Sequence, residues 1–426
     1  MTSHYLAINL LFRVPKVQII YHKDKLTPMP LLPTPDESAL KHSCAVKDMI
    51  CSEITTAGGW IPFERYMELA IYSPGMGYYC SGTTKFGCAG DFVTAPEVSS
   101  LFGRAIAQQA IQIIEDVGED SSDILEFGAG TGKLALDILL ELESLNRLPN
   151  YYFILEVSGE LQEQQNKLFA KFAPHLLSRV QWLEQLPTKF KGLILANEVL
   201  DAMPVHLVAR RDNDLFERGV VWNGKRFEWS DRLLVEGELF KIAQEIIPRA
   251  SFDNKNIEIY ISEINLSARG FIRSIANILE KGAVVLIDYG FGRDEYYHEQ
   301  RNRGTMMCHY RHHSHDDPFY FPGLQDITSH VDFTAITDVA TGEGLELLGY
   351  TSQAQFLINC GITEILARIP VENTSDYLPM ANQMQKLVSP AEMGELFKVI
   401  ALGKDNQQPL IGFESGDKSF LLEEDM

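Results

Sequence analysis

The run Ile124-Leu125-Glu126-Phe127-Gly128-Ala129-Gly130-Thr131-Gly132, followed by Lys133-Leu134-Ala135-Leu136, decides how this chain is read. A short apolar run gives way to three alternating glycines and then to a helical pattern, so a strand is expected over 124–127 and a helix over 134–143. Glycines at such a turn let the backbone approach a bound nucleoside closely, because no Cβ stands in the way. The same turn without a ligand is only a tight strand-to-helix connection, so its surroundings must choose. The pyrophosphate fingerprint G-x-G-x-x-G is not met, since Lys133 stands where its third glycine would be. That argues against an NAD-dependent oxidoreductase.

Outward from the loop, strands are expected at 152–157, 180–183, 192–196 and 283–289, with helices at 159–172 and 267–279. Short apolar strands alternating with helices indicate a parallel sheet covered on both faces. Upstream, two helices punctuated by Gly58-Gly59 and Pro62 occupy 38–70, a long ordered loop runs over 72–96, and a helix covers 99–117. Downstream, the turn Asn223-Gly224 inside 205–229 signals an inserted β-hairpin. A strand at 345–350, helices from 353 to about 384 and strand-like runs at 397–402 and 410–413 close the chain. The expected organisation is an unstructured extension at 1–37, a helical and lid region at 38–118, and the first part of the core at 119–204. The hairpin insert at 205–260 and the rest of the core at 261–426 complete it.

Composition narrows the partners. With 37 basic and 58 acidic residues in 426 the formal charge is −21, which repels a phosphate backbone and suits a cationic molecule or a basic protein. None of the six cysteines forms a C-x-x-C pair, so a zinc site is not expected and reduced thiols are. No apolar stretch reaches the ~18 to 20 residues that cross a bilayer, so an integral membrane protein is not expected. The apolar residues Leu6 to Phe12 precede Arg13, Lys16, Lys23 and Lys25, the reverse of a secretory signal. A mitochondrial presequence and an unstructured extension both remain open there.

The site chemistry fits S-adenosylmethionine, which has no phosphate but carries a ribose diol, an amino-acid end and a sulfonium cation. Glu156, at the end of the second strand, is placed to accept both ribose hydroxyls, and Glu126 to hold the ammonium. Both could instead be solvent-facing acids at strand ends. The fourth strand runs into Asn197-Glu198-Val199-Leu200-Asp201, where ligands sit in an open parallel sheet, although an Asn-Glu pair can also merely cap a helix. Glu198 and Asp201 would orient a cationic acceptor and receive its proton. Gly90-Asp91-Phe92 and Glu97 could fold over the cofactor as a lid, with Phe92 offering an aromatic face, or form a structural turn. The tract Cys308-His309-Tyr310-Arg311-His312-His313-Ser314-His315 matches no metal-ligand spacing; a polar network around the substrate, through Tyr310, Arg311 and Asp332, competes with plain loop packing.

Taken in order, these motifs resemble the MidA-type methyltransferases, a family related to the mitochondrial arginine methyltransferase that assists assembly of respiratory complex I. The resemblance spans about 44–404. It is carried by Pro74-Gly75-Met76-Gly77-Tyr78-Tyr79, Gly90-Asp91-Phe92, Thr94-Ala95-Pro96-Glu97, the glycine loop, Asn197-Glu198-x-Leu200-Asp201-Ala202-x-Pro204-Val205, Asp288-Tyr289-Gly290, Gly304-Thr305-x-x-Cys308-His309-Tyr310-Arg311 and His330-Val331-Asp332-Phe333-Thr334. It departs at Ala129, where many relatives have proline.

The resemblance implies an α/β, Rossmann-like class I methyltransferase sheet of seven strands, one antiparallel. Added to it are an N-terminal helical and loop region, an inserted β-hairpin and a helical subdomain. It further implies S-adenosyl-L-methionine as cofactor, protein arginine as acceptor and symmetric dimethylation. The assigned catalytic residues are Glu198, Asp201, Asn197, Tyr310 and Arg311. Cofactor contacts fall to Gly90, Asp91, Phe92, Glu97, Glu126, Gly128, Gly130, Gly132, Glu156 and Asn197, and no metal is assigned. The expected partner is a protein such as a complex I subunit or its equivalent, not a nucleic acid, and a homodimer is left open. The expected compartment is a bacterial-type cytoplasm, with the mitochondrial matrix as alternative. The rival reading is a non-catalytic or cofactor-binding assembly factor that works through protein contact.

Overall fold

The computed structural model describes residues 32–81, 94–118, 121–248, 259–406 and 408–423. The chain divides into a short N-terminal unit ending at Thr34 and a unit running from Pro35 to Met426, whose fold follows.

Seven strands form the main sheet: β1 (Asp123–Phe127), β2 (Tyr152–Leu155), β3 (Val180–Leu183), β4 (Phe190–Asn197), β5 (Leu279–Phe291), β6 (Glu346–Ser352) and β7 (Phe397–Lys404). They lie in the order β6-β7-β5-β4-β1-β2-β3. Every neighbouring pair from β5 to β3 is parallel, and β7 runs antiparallel to both β5 and β6. Val331–Asp332 adds a short parallel pairing at the carboxyl end of β5. Of the strands expected from sequence, the one at 180–183 matches its expected bounds, while β4 and β5 extend further at both ends.

The central strands are apolar on both faces because both faces are covered. Leu193, Leu195, Val285 and Ile287 face one layer, which contains the helices Ser100–Val117 and Lys133–Ser144. Their alternates Ile194, Ala196, Val284 and Leu286 face the other, which contains the helices Leu266–Ile278 and Phe333–Gly342. This is the period-two alternation of a strand with two buried sides. Strand order reverses between β4 and β1, so a crevice opens beyond their carboxyl ends.

The expected hairpin at Asn223-Gly224 exists within something larger. His206–Arg211, Asp214–Trp222, Phe227–Leu233, Tyr260–Ile264 and Ile61–Pro62 form one antiparallel sheet. Asp212, at φ 51°, turns a second hairpin that the sequence reading passed over. Upstream, the two expected helices are Glu37–Thr56 and Phe63–Tyr72. The first is capped by Asp36, which accepts from the Ala39 amide at 2.9 Å. A further correction concerns the C-terminal part. The run at 410–413 is not a strand: Ile411–Phe413 is a single 3-10 turn. The helices after 353 are three, Gln353–Asn359, Ile362–Leu366 and Thr374–Val388, with Gly361 at φ 75° between the first two.

Candidate active site

The three loop glycines, Gly128, Gly130 and Gly132, all have positive φ, at 60°, 52° and 84°. Side chains would be strained there. A Cβ on Gly128 would lie 3.2 Å from Val199 Cγ2, and one on Gly132 would lie 3.0 Å from Gln165 Cγ. The loop is tied down from beneath by Gln165, which is fully buried and donates to the Gly130 carbonyl at 2.9 Å. The indole of Trp182, on β3, donates in turn to Gln165 Oε1 at 2.8 Å. Glu97 accepts from the Thr131 hydroxyl at 2.5 Å, so the helix Ala95–Val98 is joined to the same loop.

Above this loop lies a cavity of about 700 Å³, whose lining includes Glu97, Glu126, Gly128, Gly130, Glu156, Asn197, Glu198 and Asp201. The carboxyl ends of β1, β2 and β4 thus bring together acids 30 and 42 positions apart in the pairs Glu126/Glu156 and Glu156/Glu198. Gly132 does not line the cavity; it starts the helix Lys133–Ser144. Gly90, Asp91 and Phe92 lie outside the described residues.

Each carboxylate has a distinct setting. Glu126 is buried and accepts from the Tyr152 hydroxyl at 2.7 Å. Burial pushes its carboxyl up to about 8 against that hydrogen bond, and the charge of Glu156 adds to the rise. Glu156 accepts from the Ser158 amide at 3.0 Å. Glu198 sits at φ 53°, rare for a residue with a side chain, while its amide donates to the Ile287 carbonyl at 2.9 Å. Burial, then the charge of Asp201, pushes Glu198 up to about 8, opposed by hydrogen bonds from Asn197 and the Ala95 amide.

Asp201 is held by the Tyr289 hydroxyl and is pushed up to about 6 by burial, which outweighs that bond. Behind it, Asp288 accepts from the amides of Leu200, Asp201 and Tyr289 at 3.0, 3.2 and 2.9 Å. Burial and the charges of Asp201 and Glu198 raise Asp288 well above the carboxylate range. It acts as a clamp on the loop that carries Glu198 and Asp201.

The His-rich tract corrects the sequence reading in a simple way. Met307–Tyr310, His313–His315 and Asp326–Thr328 form a small antiparallel sheet, with His309 opposite Asp326 and Cys308 opposite Ile327. Met307, His309, Asp326 and Thr328 line the cavity, whereas Cys308 and Ile327 pack into a hydrophobic core. Tyr310 follows Cys308 by two and so belongs to its face; it is outside the lining. Arg311 and His312, at φ 46° and 62°, form the exposed two-residue turn. Tyr310 and Arg311, expected at the site, thus lie outside the residues that line the cavity. Asp332 instead caps the helix Phe333–Gly342, accepting from the Ala335 amide at 3.0 Å. Among the described residues no group of three or more His, Cys, Asp or Glu is arranged to hold a metal ion.

Sequence reasoning missed Tyr72, Tyr79, Tyr289, Asp326 and His330, all of which line the cavity. Tyr79, Tyr289 and His330 lie in motifs quoted above, so a signal existed for them. His330 stacks edge-on to Tyr289 with ring centroids 5.2 Å apart, and burial lowers it to about 4.

These residues fit S-adenosylmethionine. A glycine cradle closed by Val199 admits a flat nucleoside edge, acids stand where a ribose diol and an ammonium need acceptors, and the Asn197 Oδ1 is buried without a partner. No helix among the described residues is long and apolar enough to cross a membrane.

Comparison with known proteins agrees with this fit. The model of a family of S-adenosyl-L-methionine-dependent methyltransferases matches residues 105–351. A Burkholderia thailandensis protein solved bound to S-adenosyl-homocysteine is 46% identical, with TM-score 0.86 over 91% of this chain and 99% of that one. A native crystal structure from the same organism gives 45% identity and TM-score 0.83 over the same shares. Among curated proteins, the mitochondrial protein arginine methyltransferase NDUFAF7 of Danio rerio is 27% identical over 86% of this chain and 87% of its own length. Its Drosophila melanogaster homolog is 26% identical over 87% and 89%.

Proposed function

Because the chain belongs to the family of S-adenosyl-L-methionine-dependent methyltransferases, we propose that it methylates the guanidino nitrogens of an arginine in a protein substrate. One observation carries the choice of acceptor. Among the described residues the cavity is lined by six carboxylates, those of Glu97, Glu126, Glu156, Glu198, Asp201 and Asp326, and by neither Lys nor Arg. Such a lining favours cations and disfavours phosphate or carboxylate acceptors. The curated relatives are named protein arginine methyltransferases, which supports the same acceptor.

When bound, S-adenosylmethionine supplies an electrophilic methyl group on a sulfonium. Gly128 and Gly130 give it backbone room, Glu156 accepts from the ribose, Glu126 holds the ammonium, and Glu97 keeps the loop in place through Thr131. A guanidinium with a pKa of roughly 13.8 would cost about 9 kcal/mol to deprotonate fully at neutral pH. Its proton therefore leaves as the methyl arrives. Glu198 and Asp201 orient the planar cation; Glu198, pushed up to about 8 in the donor-free protein, gives up its own proton as the cationic donor and acceptor bind, and the carboxylate so formed takes the guanidinium proton. Asn197 fixes the Glu198 carboxylate by donating to it at 3.1 Å. The reading assigns symmetric dimethylation as product, and a complex I subunit or its equivalent as the first acceptor to try. Its compartment is read as a bacterial-type cytoplasm or the mitochondrial matrix, and the mitochondrial names of the curated relatives support the second.

The test is transfer of labelled methyl from the donor to proteins of a cell extract, followed by acid hydrolysis. Symmetric dimethylarginine is expected. Glu198→Gln and Asp201→Asn should keep donor affinity nearly unchanged and lower turnover by about 10²-fold. Label recovered in lysine would sink the arginine assignment. Donor binding with no labelled protein would leave the assembly-factor reading in its place.

A further inference from the structure

The donor half of the cavity is built by β1, β2 and β4, yet its far wall comes from elsewhere in the chain. Met307, His309, Asp326 and Thr328 reach it from adjacent antiparallel strands, with His309 directly opposite Asp326. Asp326 is buried, and its Oδ2 accepts from the Tyr79 hydroxyl at 3.1 Å. Tyr79 stacks on Tyr72 with ring centroids 5.7 Å apart and planes at 28°. Tyr72 is anchored by donating to the Ala202 carbonyl at 3.0 Å, in the loop just after Asp201. Two aromatic rings and a carboxylate are thereby fixed as one unit beside the loop that bears Glu198 and Asp201.

We infer that Asp326, with the rings of Tyr72 and Tyr79, forms the acceptor-side wall that holds the incoming guanidinium and selects arginine over lysine, an inference that rests on the arginine reading above. A guanidinium is planar, presents donors along its edges and stacks on aromatic faces; an ammonium is a compact point charge that does neither. Asp326 on the small sheet and Glu198 after β4 line the same cavity, so both carboxyls are available to the edges of such a plane. Their charges interact across the cavity. Neither residue of the tyrosine pair, nor Asp326, belongs to the glycine loop or to Glu126 and Glu156, so this wall and the donor site are separable.

The probe is agmatine, an arginine mimic with no carboxylate, titrated calorimetrically into the full-length protein saturated with S-adenosylhomocysteine; n-butylamine stands for lysine. Agmatine should bind the wild type saturably and more tightly than n-butylamine. Asp326→Asn, which keeps an acceptor for Tyr79, should weaken agmatine by about tenfold or more and leave S-adenosylhomocysteine affinity within about twofold. Asp326→Glu should recover part of the loss. Equal agmatine affinity in Asp326→Asn and wild type, no saturable agmatine binding to wild type, or n-butylamine binding as tightly would each overturn the inference. Thermal unfolding of each variant separates misfolding: a variant that also loses S-adenosylhomocysteine is replaced by Tyr79→Phe, which should weaken agmatine alone. Failure here with methylarginine still formed in extracts would remove the wall and keep the arginine reading. Methyl-lysine in extracts would remove both.

Discussion

The Tyr289 hydroxyl donates to Asp201 Oδ2, so the carboxyl end of β5 grips the loop that follows β4 across the mouth of the cavity. The two residues are 88 positions apart, and only the parallel pairing of β4 with β5 makes them neighbours. With Asp288 clamping the amides of Leu200 and Asp201, the strand end sets both the position and the charge state of the acid.

Tyr289→Phe tests that coupling. The hydroxyl opposes the burial that raises the Asp201 carboxyl to about 6, so its loss should push that carboxyl higher and move the acidic limb of the pH–rate profile upward. Turnover at neutral pH should fall by about tenfold. An unchanged acidic limb would mean that Asp201 does not titrate in the rate-determining step.

Gln165 offers a second test, on the donor side. Replacing it with leucine leaves the Gly130 carbonyl and the Trp182 indole without their partners in a partly buried place. An unpaired buried polar group costs about 1 to 3 kcal/mol, part of which should appear as donor affinity weakened by about tenfold. Turnover at saturating donor should hardly change. Trp182 reports directly, because donor binding should alter its fluorescence in the wild type and less so in Gln165→Leu. Equal donor affinity in both proteins would show that the loop does not need this brace.

Much of the sheet was legible in the sequence because it alternates apolar strands with periodic helices, and the seven-strand order with one antiparallel member agrees with the resemblance. The antiparallel insert was only partly legible: Asn223-Gly224 is a strong turn signal, whereas Asp212-Asn213 is weaker and Tyr260–Ile264 lies far along the chain. The donor acids could be found because strand ends point at the crevice. In the tract 308–315 the sequence points to Tyr310 whereas His309 lines the cavity, because a dense polar tract without a clear period does not reveal which alternate faces inward; one residue of register reverses the face. Tyr72, Tyr79 and Asp326 converge only through tertiary contacts, which local patterns do not encode.

The loop glycines make separable predictions. Gly132→Ala places a Cβ at φ 84° and 3.0 Å from Gln165 Cγ, and should destabilise the fold by about 1 to 2 kcal/mol while weakening donor binding. Gly159→Ala, with open space around it and no positive φ, should be neutral or slightly stabilising. Denaturant midpoints for the two variants check this. Equal midpoints would mean that the left-handed turn relaxes at no cost.

The acids of the cavity predict a proton signature for donor binding. Glu126 is pushed from an ordinary 4.5 up to about 8, so at neutral pH it mostly holds a proton until an ammonium replaces it. Binding should therefore release protons, and donor affinity should rise with pH until it levels near 8. The sign for stability follows from the same shift. A carboxyl whose folded value is raised contributes stability that is fully present below its unfolded value and is lost as pH rises through the folded one. Between about pH 4.5 and pH 8 the donor-free protein should thus lose stability on this account, and the donor-induced rise in Tm should grow over the same window. Titrations at pH 7 in phosphate and in Tris should give different heats, and Glu126→Gln should narrow the difference. Identical heats in the two buffers would mean that no proton leaves, and Glu126 could not then be the residue that receives the ammonium.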